Sequence, residues 1–449
     1  MKKTLVLMLS IVMFTNLSAQ QSFTKQELLD DIDSLYVIIN EIHPNMFAFI
    51  SQEEFDMKVE KAKHLIKDDM TLSEFFNITA PLVADLKDGH TSIYFPYNIL
   101  RRETKIFPIL IKVQHPCFST IVLDDYNESD ISIPAGTIIK TINGKDVNKL
   151  AQRMYSTVSG EMDSFRFAIM NKRLPELIYA LVPDSIFNIE YIVDGNILSA
   201  TLPGTGFTAT RKRMIEFEKL QQQQENYSLS VDHENKIATI HFNIFTDLPR
   251  FQTFVDSAFT VINNNGISDL IIDIRQNGGG QSSIGDEFFQ YISHEPFQQF
   301  GKVQTNASER QNAYTMKHYG YDISPLGLSE FDIVDLRELR DNPLRFSGNV
   351  YLLTSNYSFS SAASFAWAFQ YFNMGTIIGE ETGGLIVCYG DIISQFLPNT
   401  NIQFGTSFKK FYMYGSTDEH MHGVIPDIKV PAAEAMDYAI SNILKASSK

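Results

Sequence analysis

The chain has 449 residues, which is long for one compact core and predicts two or three domains. Apolar residues make up 44% of the sequence and aromatic residues 12%, so a globular fold with a sizeable core is expected. The net charge of −16 argues against nucleic acid and anionic lipid as partners.

Residues 1–19 have the pattern of a cleaved leader. Two lysines precede an apolar run that ends at Phe14 and is too short to span a bilayer comfortably. Ala19 suits the residue just before a cleavage site, although Leu17 is large for its place two positions earlier. The pattern predicts a signal peptide and an exported chain, periplasmic or extracellular, with no stable membrane insertion after cleavage. An uncleaved N-terminal anchor is the alternative.

The sequence contains only two cysteines, Cys117 and Cys388, which lie in different predicted units. One long-range disulfide is an option, but two free buried thiols are the favoured state. Stability therefore does not depend on a cysteine framework.

Residues 20–90 predict an N-terminal helical domain with three helices, followed at its end by His90. Apolar residues recur at helical spacing in each of the three segments. Each helix is expected to begin at a hydroxyl residue followed three positions later by glutamate, which is the spacing of a capping box: Thr24 and Glu27, Ser51 and Glu54, Thr71 and Glu74.

Residues 91–205 change to a strand pattern, which is clearest at 106–113 and 187–193. Asn143-Gly144 is a hairpin signal. The surrounding segment resembles a PDZ core, a domain that binds an extended peptide by adding it to a sheet edge. A small β-rich domain that only packs against its neighbours is the alternative.

Residues 206–449 alternate apolar strands with helical segments after a linker at 221–225, which predicts an α/β core with helices packed on a sheet. A polar, aromatic-rich stretch at about 296–348 interrupts this rhythm without clear periodicity, and we interpret it as a lid or substrate-shaping insertion. The predicted strands lie near 236–245, 267–274, 350–354 and 376–379, and the predicted helices near 248–262, 283–293 and 360–372.

Ser360 lies where a buried strand breaks into small hydroxyl residues before a helix, which is where a serine nucleophile is placed in a strand-to-helix turn. A plain helix cap is the alternative for this segment. Residues 270–280 are a buried strand that opens into three glycines, whose backbone amides can face an anion. His90 supplies a candidate base after the helical segment.

In their order along the chain, these segments resemble the carboxyl-terminal processing (tail-specific) serine peptidase family, and within it the branch similar to the tricorn core protease. The resemblance covers most of the chain after the leader. It implies an α/β fold with a crotonase-like ββα core, an N-terminal helical cap and a PDZ-like β-rich domain. The motifs that carry it are Asp88 to Thr91, the segment 131–150, Asp273 to Arg275 with Asn277 to Gly280, the Ser360 turn, Gly379 to Gly384, and Gly423 to Asp427.

The resemblance assigns the nucleophile to Ser360, with Ser358 and Ser361 on the same turn as alternatives, and the base to His90. A serine–lysine pair is disfavoured because residues 380–393 contain no lysine. The resemblance also implies an acid shortly before Gly423 that orients the histidine. Glu419 is the predicted residue, and Asp418 and Asp88 remain alternatives.

The predicted oxyanion donors are the backbone N–H of Ser361 and that of Gly278 or Gly279. Loop support is assigned to Asp273, Arg275 and Asn277. No cofactor is expected, and the glycines are not a phosphate-binding loop because no Gly-Lys-Ser/Thr follows them. No metal is expected, because His420 and His422 lack a further compact set of ligands.

The resemblance implies an exported serine peptidase that hydrolyses peptide bonds in peptides or unfolded proteins by an acyl-enzyme mechanism, with cleavage near carboxyl termini as one option. The alternative is a catalytically silent protein that binds peptides or apolar ligands on the same fold. A crotonase-type acyl-CoA enzyme is disfavoured because that cofactor is cytoplasmic. The sequence leaves the oligomeric state open.

Overall fold

The computed structural model describes residues 22–100, 104–125, 131–221 and 225–447. The predicted signal peptide lies outside these ranges. Within them, no helix combines the length and the apolar character needed to cross a membrane.

Three helices form the N-terminal unit, as predicted: α1 (Lys25–Ile42), α2 (Gln52–Leu65) and α3 (Leu72–Ala84). Thr24 and Thr71 each form a complete capping box with the glutamate three residues later. Ser51 accepts a hydrogen bond from the Glu54 N–H, but the reciprocal half of that box is absent. These caps satisfy backbone N–H groups that have no partner inside the helix, and so they fix where each helix begins.

The next unit is mixed rather than purely β-rich, since its strands enclose three helices. A short 3₁₀ helix at Tyr97–Ile99 also lies in this unit. The elements in chain order are β1 (Ser92–Ile93), β2 (Lys105–Ile106), β3 (Ile109–Val113), β4 (Thr120–Asp125), β5 (Ile138–Ile142), β6 (Lys145–Asp146), α4 (Val147–Tyr155), α5 (Asp163–Lys172), α6 (Leu174–Leu181), β7 (Ile186–Val193), β8 (Asn196–Pro203), β9 (Thr205–Gly206) and α7 (Phe207–Gln221).

The Asn143-Gly144 turn joins β5 to β6 with both residues at positive φ, so this predicted hairpin is confirmed. The sheet order is β3-β4-β5-β7-β8, which makes β3 an edge strand. Helix α5 covers part of that edge. The Asn171 side chain accepts a hydrogen bond from the Val113 N–H at 2.7 Å and donates one to the Val113 carbonyl at 3.0 Å. At this position the chain's own helix makes the bonds that an added peptide strand would make.

The C-terminal unit contains the predicted alternation of strands and helices. Its six-stranded sheet has the order β10-β11-β12-β15-β16-β19, and every neighbouring pair except β10–β11 is parallel. The elements are β10 (Tyr227–Asp232), β11 (Ile237–Phe242), α8 (Leu248–Asn264), β12 (Asp269–Asp273), α9 (Ser283–Phe289), β13 (Phe300–Ala307), α10 (Glu309–Tyr319), β14 (Gly327–Asp332), β15 (Asn349–Thr354), α11 (Ser361–Tyr371), β16 (Thr376–Gly379), β17 (Val387–Phe396), β18 (Gln403–Met413), β19 (Ile428–Lys429) and α12 (Ala435–Ser447).

The stretch at 296–348 is more ordered than the sequence indicated. It contains β13, α10 and β14, and β13 pairs with both β14 and β18 in a second sheet. No clear periodicity marks these elements in the sequence, because β13 is only half-buried and its partner β18 lies about a hundred residues away in the chain. The interpretation of this stretch as a lid or substrate-shaping insertion stays a prediction.

The buried core does not divide at the predicted boundary between residues 90 and 91. One apolar cluster contains side chains of the N-terminal helices, of the strands and helices up to Leu202, and of the β17–β18 hairpin. A separate cluster fills the α/β unit beneath α8, α9 and α11. The hairpin from the C-terminal half thus packs against the N-terminal half and brings distant motifs together.

Candidate active site

Ser360 occupies a strained turn between β15 and α11. Its backbone has φ +55° and ψ −124°, a conformation that a residue with a side chain rarely adopts. Ser361 begins the helix directly after it. A sharp turn of this kind presents the serine side chain outside both elements, as in the strand–turn–helix arrangement of many serine nucleophiles.

Two glycines make room for this turn. A Cβ atom on Gly279 would lie 2.7 Å from both the Phe359 carbonyl oxygen and the Ser360 Cβ. A Cβ atom on Gly384 would lie 2.8 Å from the Ser360 nitrogen. The glycine loop after β12 and the one after β16 therefore approach the Ser360 backbone more closely than any other residue type allows.

Of the three serines on the turn, only Ser360 keeps a hydroxyl without a partner among the described residues. The Ser358 Oγ donates to the Ile274 carbonyl at 2.9 Å in a buried position. The Ser361 Oγ donates to the Gly280 carbonyl at 2.6 Å. Both neighbouring hydroxyls are therefore held by backbone oxygens, which favours Ser360 as the reacting group.

His90 and Ser360 line the same cavity, which has a volume of about 210 Å³. The His90 ring lies 4.5 Å from the ring of Phe359, the residue before the serine. Within the described residues no hydrogen bond joins the two side chains, and the buried His90 Nδ1 has no partner. Catalytic hydrogen bonds are often loose in the absence of substrate, so the shared cavity is the relevant observation.

Burial lowers the pKa of His90 below its ordinary value, although the carboxylates of Asp88 and Asp391 act in the opposite direction. The imidazole is consequently neutral near pH 7, which is the form that accepts a proton.

Asp88 is the acid that the structure places beside His90. The distance from its Oδ1 to the His90 Nδ1 is 3.9 Å, and the same Oδ1 accepts the His90 backbone N–H at 2.9 Å. Burial acts to raise the pKa of Asp88, but the hydrogen bonds from His43 and Ser407 hold it below its usual range. Asp88 is therefore a buried carboxylate close to the His90 imidazole, at a distance longer than a hydrogen bond.

His43, at the end of α1, is a site residue that sequence reasoning missed. Its Nδ1 accepts the Asn45 N–H at 3.0 Å, so its proton lies on Nε2, which is 3.2 Å from the Asp88 Oδ2. Ser407 on β18 also donates to that oxygen, at 2.6 Å. No spacing in the sequence indicates this contact, because it depends on how the helical unit packs against β18.

Asp273, Arg275 and Asn277, to which loop support is assigned, lie at the end of β12 and in the glycine loop after it. Arg275 donates to both carboxylate oxygens of Asp273, at 2.8 and 2.7 Å. Burial would raise the pKa of Asp273, but the hydrogen bonds from Arg275 and His241 outweigh it and lower that pKa to about 2. The Asn277 carbonyl accepts the Phe359 N–H at 3.0 Å, which ties the glycine loop to the nucleophile turn.

One predicted oxyanion donor already has a hydrogen-bond partner in this arrangement. The Gly279 N–H donates to the Asn277 Oδ1 at 2.8 Å and is therefore not free for an anion. Gly278 faces the Tyr357 hydroxyl, which would lie 3.2 Å from a Cβ atom at that position. Gly280, which the sequence analysis did not select, lines the cavity with Ser360 and Ser361. The Ser361 N–H makes no backbone hydrogen bond within the described residues.

The structure does not bring Glu419 to His90. Glu419 is exposed, and none of the hydrogen bonds and ion pairs among the described residues includes its side chain. Asp418, the neighbouring alternative, pairs with Lys410 at 2.7 Å. Glu419 and Asp418 lie on a turn that projects into solvent beside the start of β17. The Val387 N–H bonds to the His420 carbonyl there and holds this turn in place.

His420 and His422 lie with ring centroids 6.0 Å apart. The described part of the chain contains no group of three or more His, Cys, Asp or Glu side chains that could hold a metal ion. Both cysteines are free, and Cys117 is exposed rather than buried as expected. Cys388 is buried and lines the cavity, and burial raises its thiol pKa.

The model of peptidase family S41 matches residues 236–430. Among solved structures, the chain is similar to mature CPAF complexed with lactacystin, with 13% sequence identity, coverage of 94% of this chain and 98% of that chain, and a TM-score of 0.64. A second structure of mature CPAF gives 13% identity, coverage of 94% and 96%, and a TM-score of 0.62. The photosystem II D1 C-terminal processing protease gives 15% identity, coverage of 91% and 94%, and a TM-score of 0.46.

The likeness to CPAF shows the fold, which extends over nearly the whole of both chains. The family match covers the α/β unit that carries the glycine loop and the Ser360 turn. Residues 236–430 thus match peptidase family S41, and the chain is a serine-type peptidase.

Proposed function

We propose that the protein hydrolyses peptide bonds in peptides or unfolded proteins, with Ser360 as the nucleophile and His90 as the general base. The observation that carries this proposal is the strained Ser360 turn, which faces the same cavity as a buried, neutral histidine. Backbone strain of this kind persists only where the surroundings enforce it, and it is concentrated at functional positions.

In this mechanism His90 takes the proton from the Ser360 hydroxyl as its oxygen attacks the scissile carbonyl. The imidazolium then returns the proton to the leaving amine, and water hydrolyses the acyl-enzyme with the same base. Asp88 stabilises the imidazolium through its charge at 3.9 Å, in place of the predicted Glu419. The Ser361 N–H lies at the positive end of α11, where a developing oxyanion is stabilised. The Gly280 N–H is the proposed second donor.

Several finer assignments belong to the same proposal. The α/β unit is proposed to be crotonase-like, and residues 91–205 to be PDZ-like. Export to the periplasm or the extracellular space rests on the leader pattern in the sequence. The cavity has an apolar wall, formed by Phe300, Phe411 and Met413. This wall favours an apolar substrate side chain next to the cleaved bond. A preference for carboxyl-terminal segments rests on the family resemblance alone.

The proposal is tested by reacting the protein with a fluorophosphonate and mapping the modified peptide. We expect labelling at Ser360, because phosphonylation requires an activated hydroxyl, and we expect the labelling rate to fall by about 10³-fold in the His90→Ala variant. His64→Ala is the control, since the His64 side chain is exposed on α2 and its hydrogen bond among the described residues is to the Glu60 carbonyl. Modification of another serine, or equal labelling of the His90→Ala variant, would contradict the assignment and favour a silent binding protein.

The choice between Asp88 and Glu419 is a separate prediction. Asp88→Asn should lower kcat by about 10²- to 10⁴-fold, because an amide no longer stabilises the imidazolium. Glu419→Gln should change kcat less than about twofold, since an exposed side chain far from the reacting groups contributes little. Steady-state hydrolysis of a fluorogenic peptide measures both variants, and a larger loss in Glu419→Gln than in Asp88→Asn would restore the sequence-based assignment.

A further inference from the structure

Glu161 lies in the loop between α4 and α5, where the β-containing unit meets the histidine corner. The Gly89 N–H donates to the Glu161 Oε2 at 3.2 Å. From the same loop, the Ser159 Oγ donates to the Asp88 carbonyl at 2.7 Å. The backbone on the N-terminal side of His90 is therefore held by two side chains from this one loop.

The helix that follows the loop reaches the other half of the site. Phe165 on α5 stacks on Phe359 with ring centroids 4.1 Å apart and planes inclined by 10°. Phe359 precedes Ser360 and also faces the His90 ring. A Cβ atom on Gly89 would lie 2.7 Å from the Phe359 ring and 3.1 Å from the Glu161 Oε2, so the corner is packed between these two side chains. One continuous segment, from Ser159 to Phe165, contacts both the histidine corner and the nucleophile turn.

We propose that Glu161 is a positioning residue, which holds the Gly89 backbone so that His90 stays in register with Ser360. This inference rests on the proposed function, since it assumes that His90 and Ser360 are the reacting pair. Glu161 acts through the corner and does not touch the substrate.

The charge around Glu161 makes this support sensitive to pH. Burial, together with the charge of Asp88, raises the pKa of Glu161 to about 8. The titratable groups that face it are Asp88 from the corner and Cys388 from β17. Glu161 is therefore neutral at pH 7, and its ionisation puts a second buried carboxylate beside Asp88. Repulsion between two buried carboxylates is strong, so the Glu161 side chain should leave its position under Gly89.

Tyr389 and Cys388 also lie near the site, and neither titrates in this range. Burial raises the pKa of Tyr389 to about 12, and it raises the pKa of the Cys388 thiol further still. His90 is already deprotonated above pH 7, because its pKa is lowered. An alkaline decline of activity with a midpoint near pH 8 would therefore report on Glu161.

The test is the pH profile of kcat and KM between pH 6 and 9.5 for the wild type, Glu161→Gln, Glu161→Ala and Glu176→Gln. Glu176 is the matched control: it is a buried glutamate with a raised pKa in the same unit, but it bonds to Tyr97 instead of the corner.

We expect wild-type kcat to fall by about tenfold per pH unit above pH 8, and Glu176→Gln to follow it. Glu161→Gln should keep its pH 7 kcat up to pH 9.5, since its amide still accepts the Gly89 N–H and does not ionise. Glu161→Ala should lose about 10- to 100-fold in kcat at pH 7, with KM changed less than about twofold.

The inference is overturned if the wild type shows no alkaline decline, or if Glu161→Gln declines as the wild type does. Should Glu161→Ala fail to fold, the profile of Glu161→Gln decides the question alone. Failure of the proposed function would look different, since Ser360→Ala would then retain wild-type hydrolysis whatever the Glu161 variants do.

Discussion

Replacing Ser360 with alanine should lower kcat/KM for an unfolded protein substrate by about 10⁴-fold or more, because no other group at the turn can form the acyl-enzyme. The hydroxyl lies in the cavity with His90, and alanine removes it without changing the backbone demand of the turn. The measurement is initial-rate hydrolysis at several enzyme concentrations, with thermal unfolding recorded to show that the variant retains its fold.

Ser361→Ala is the matched control for this prediction. It keeps the backbone N–H at the start of α11 and loses only the Oγ bond to the Gly280 carbonyl, so we expect a loss of less than about tenfold. If Ser361→Ala were inactive and Ser360→Ala active, the nucleophile would have to be reassigned to the neighbouring residue.

The second large effect is on stability. Arg275→Met should lower the free energy of unfolding by about 3 to 5 kcal/mol at pH 7, because it leaves the Asp273 carboxylate buried without its partner. Asp273 is 8% exposed, and the lost guanidinium also donates to the Ala432 carbonyl at 2.6 Å. Urea denaturation followed by circular dichroism measures the difference.

The effect of Arg275→Met should depend on pH with a definite sign. In the wild type the Asp273 pKa is lowered to about 2, so its favourable contribution is present above pH 3.8 and is lost as the pH falls through that lowered value. In the variant the burial that raises this pKa is no longer opposed by Arg275, so Asp273 takes up a proton at a higher pH. The destabilisation should therefore be smaller at pH 5 than at pH 7.

Arg310→Met is the control for this pair. Arg310 bonds to Glu41 at 3.0 Å. The Arg310 side chain is 40% exposed and the Glu41 side chain 32% exposed. An exposed ion pair contributes about 1 kcal/mol or less, so this variant should unfold close to the wild type. Equal losses in the two variants would mean that burial of Asp273 does not determine the result.

The sequence was sufficient for elements whose cause is local. The capping residues Thr24 and Thr71 begin helices because their hydroxyls bond to amides three residues away. The Asn143-Gly144 turn forms because these residue types tolerate positive φ. The strand-to-helix turn at Ser360 was also predictable, since buried apolar residues precede it and small residues follow.

The sequence was insufficient where the contact partner is distant. Strand β13 is stabilised by pairing with β18, and no local periodicity reveals a half-buried strand of this kind. Glu419 is the acid that motif order along the chain selects, but motif order carries no information on the distance to His90. Gly279 was chosen for its residue type, whereas the direction of its N–H is set by the Asn277 side chain.

The docking of α5 along β3 has a consequence for any peptide that recognises this edge. An incoming strand would compete with Asn171 for the Val113 backbone. The apparent affinity of the strand is then its intrinsic affinity multiplied by the fraction of molecules in which helix α5 has moved away. That displacement would also pull Phe165 away from Phe359. Ligand capture at the sheet edge would then be coupled to the stacking of Phe165 on Phe359, and through it to the position of the nucleophile turn.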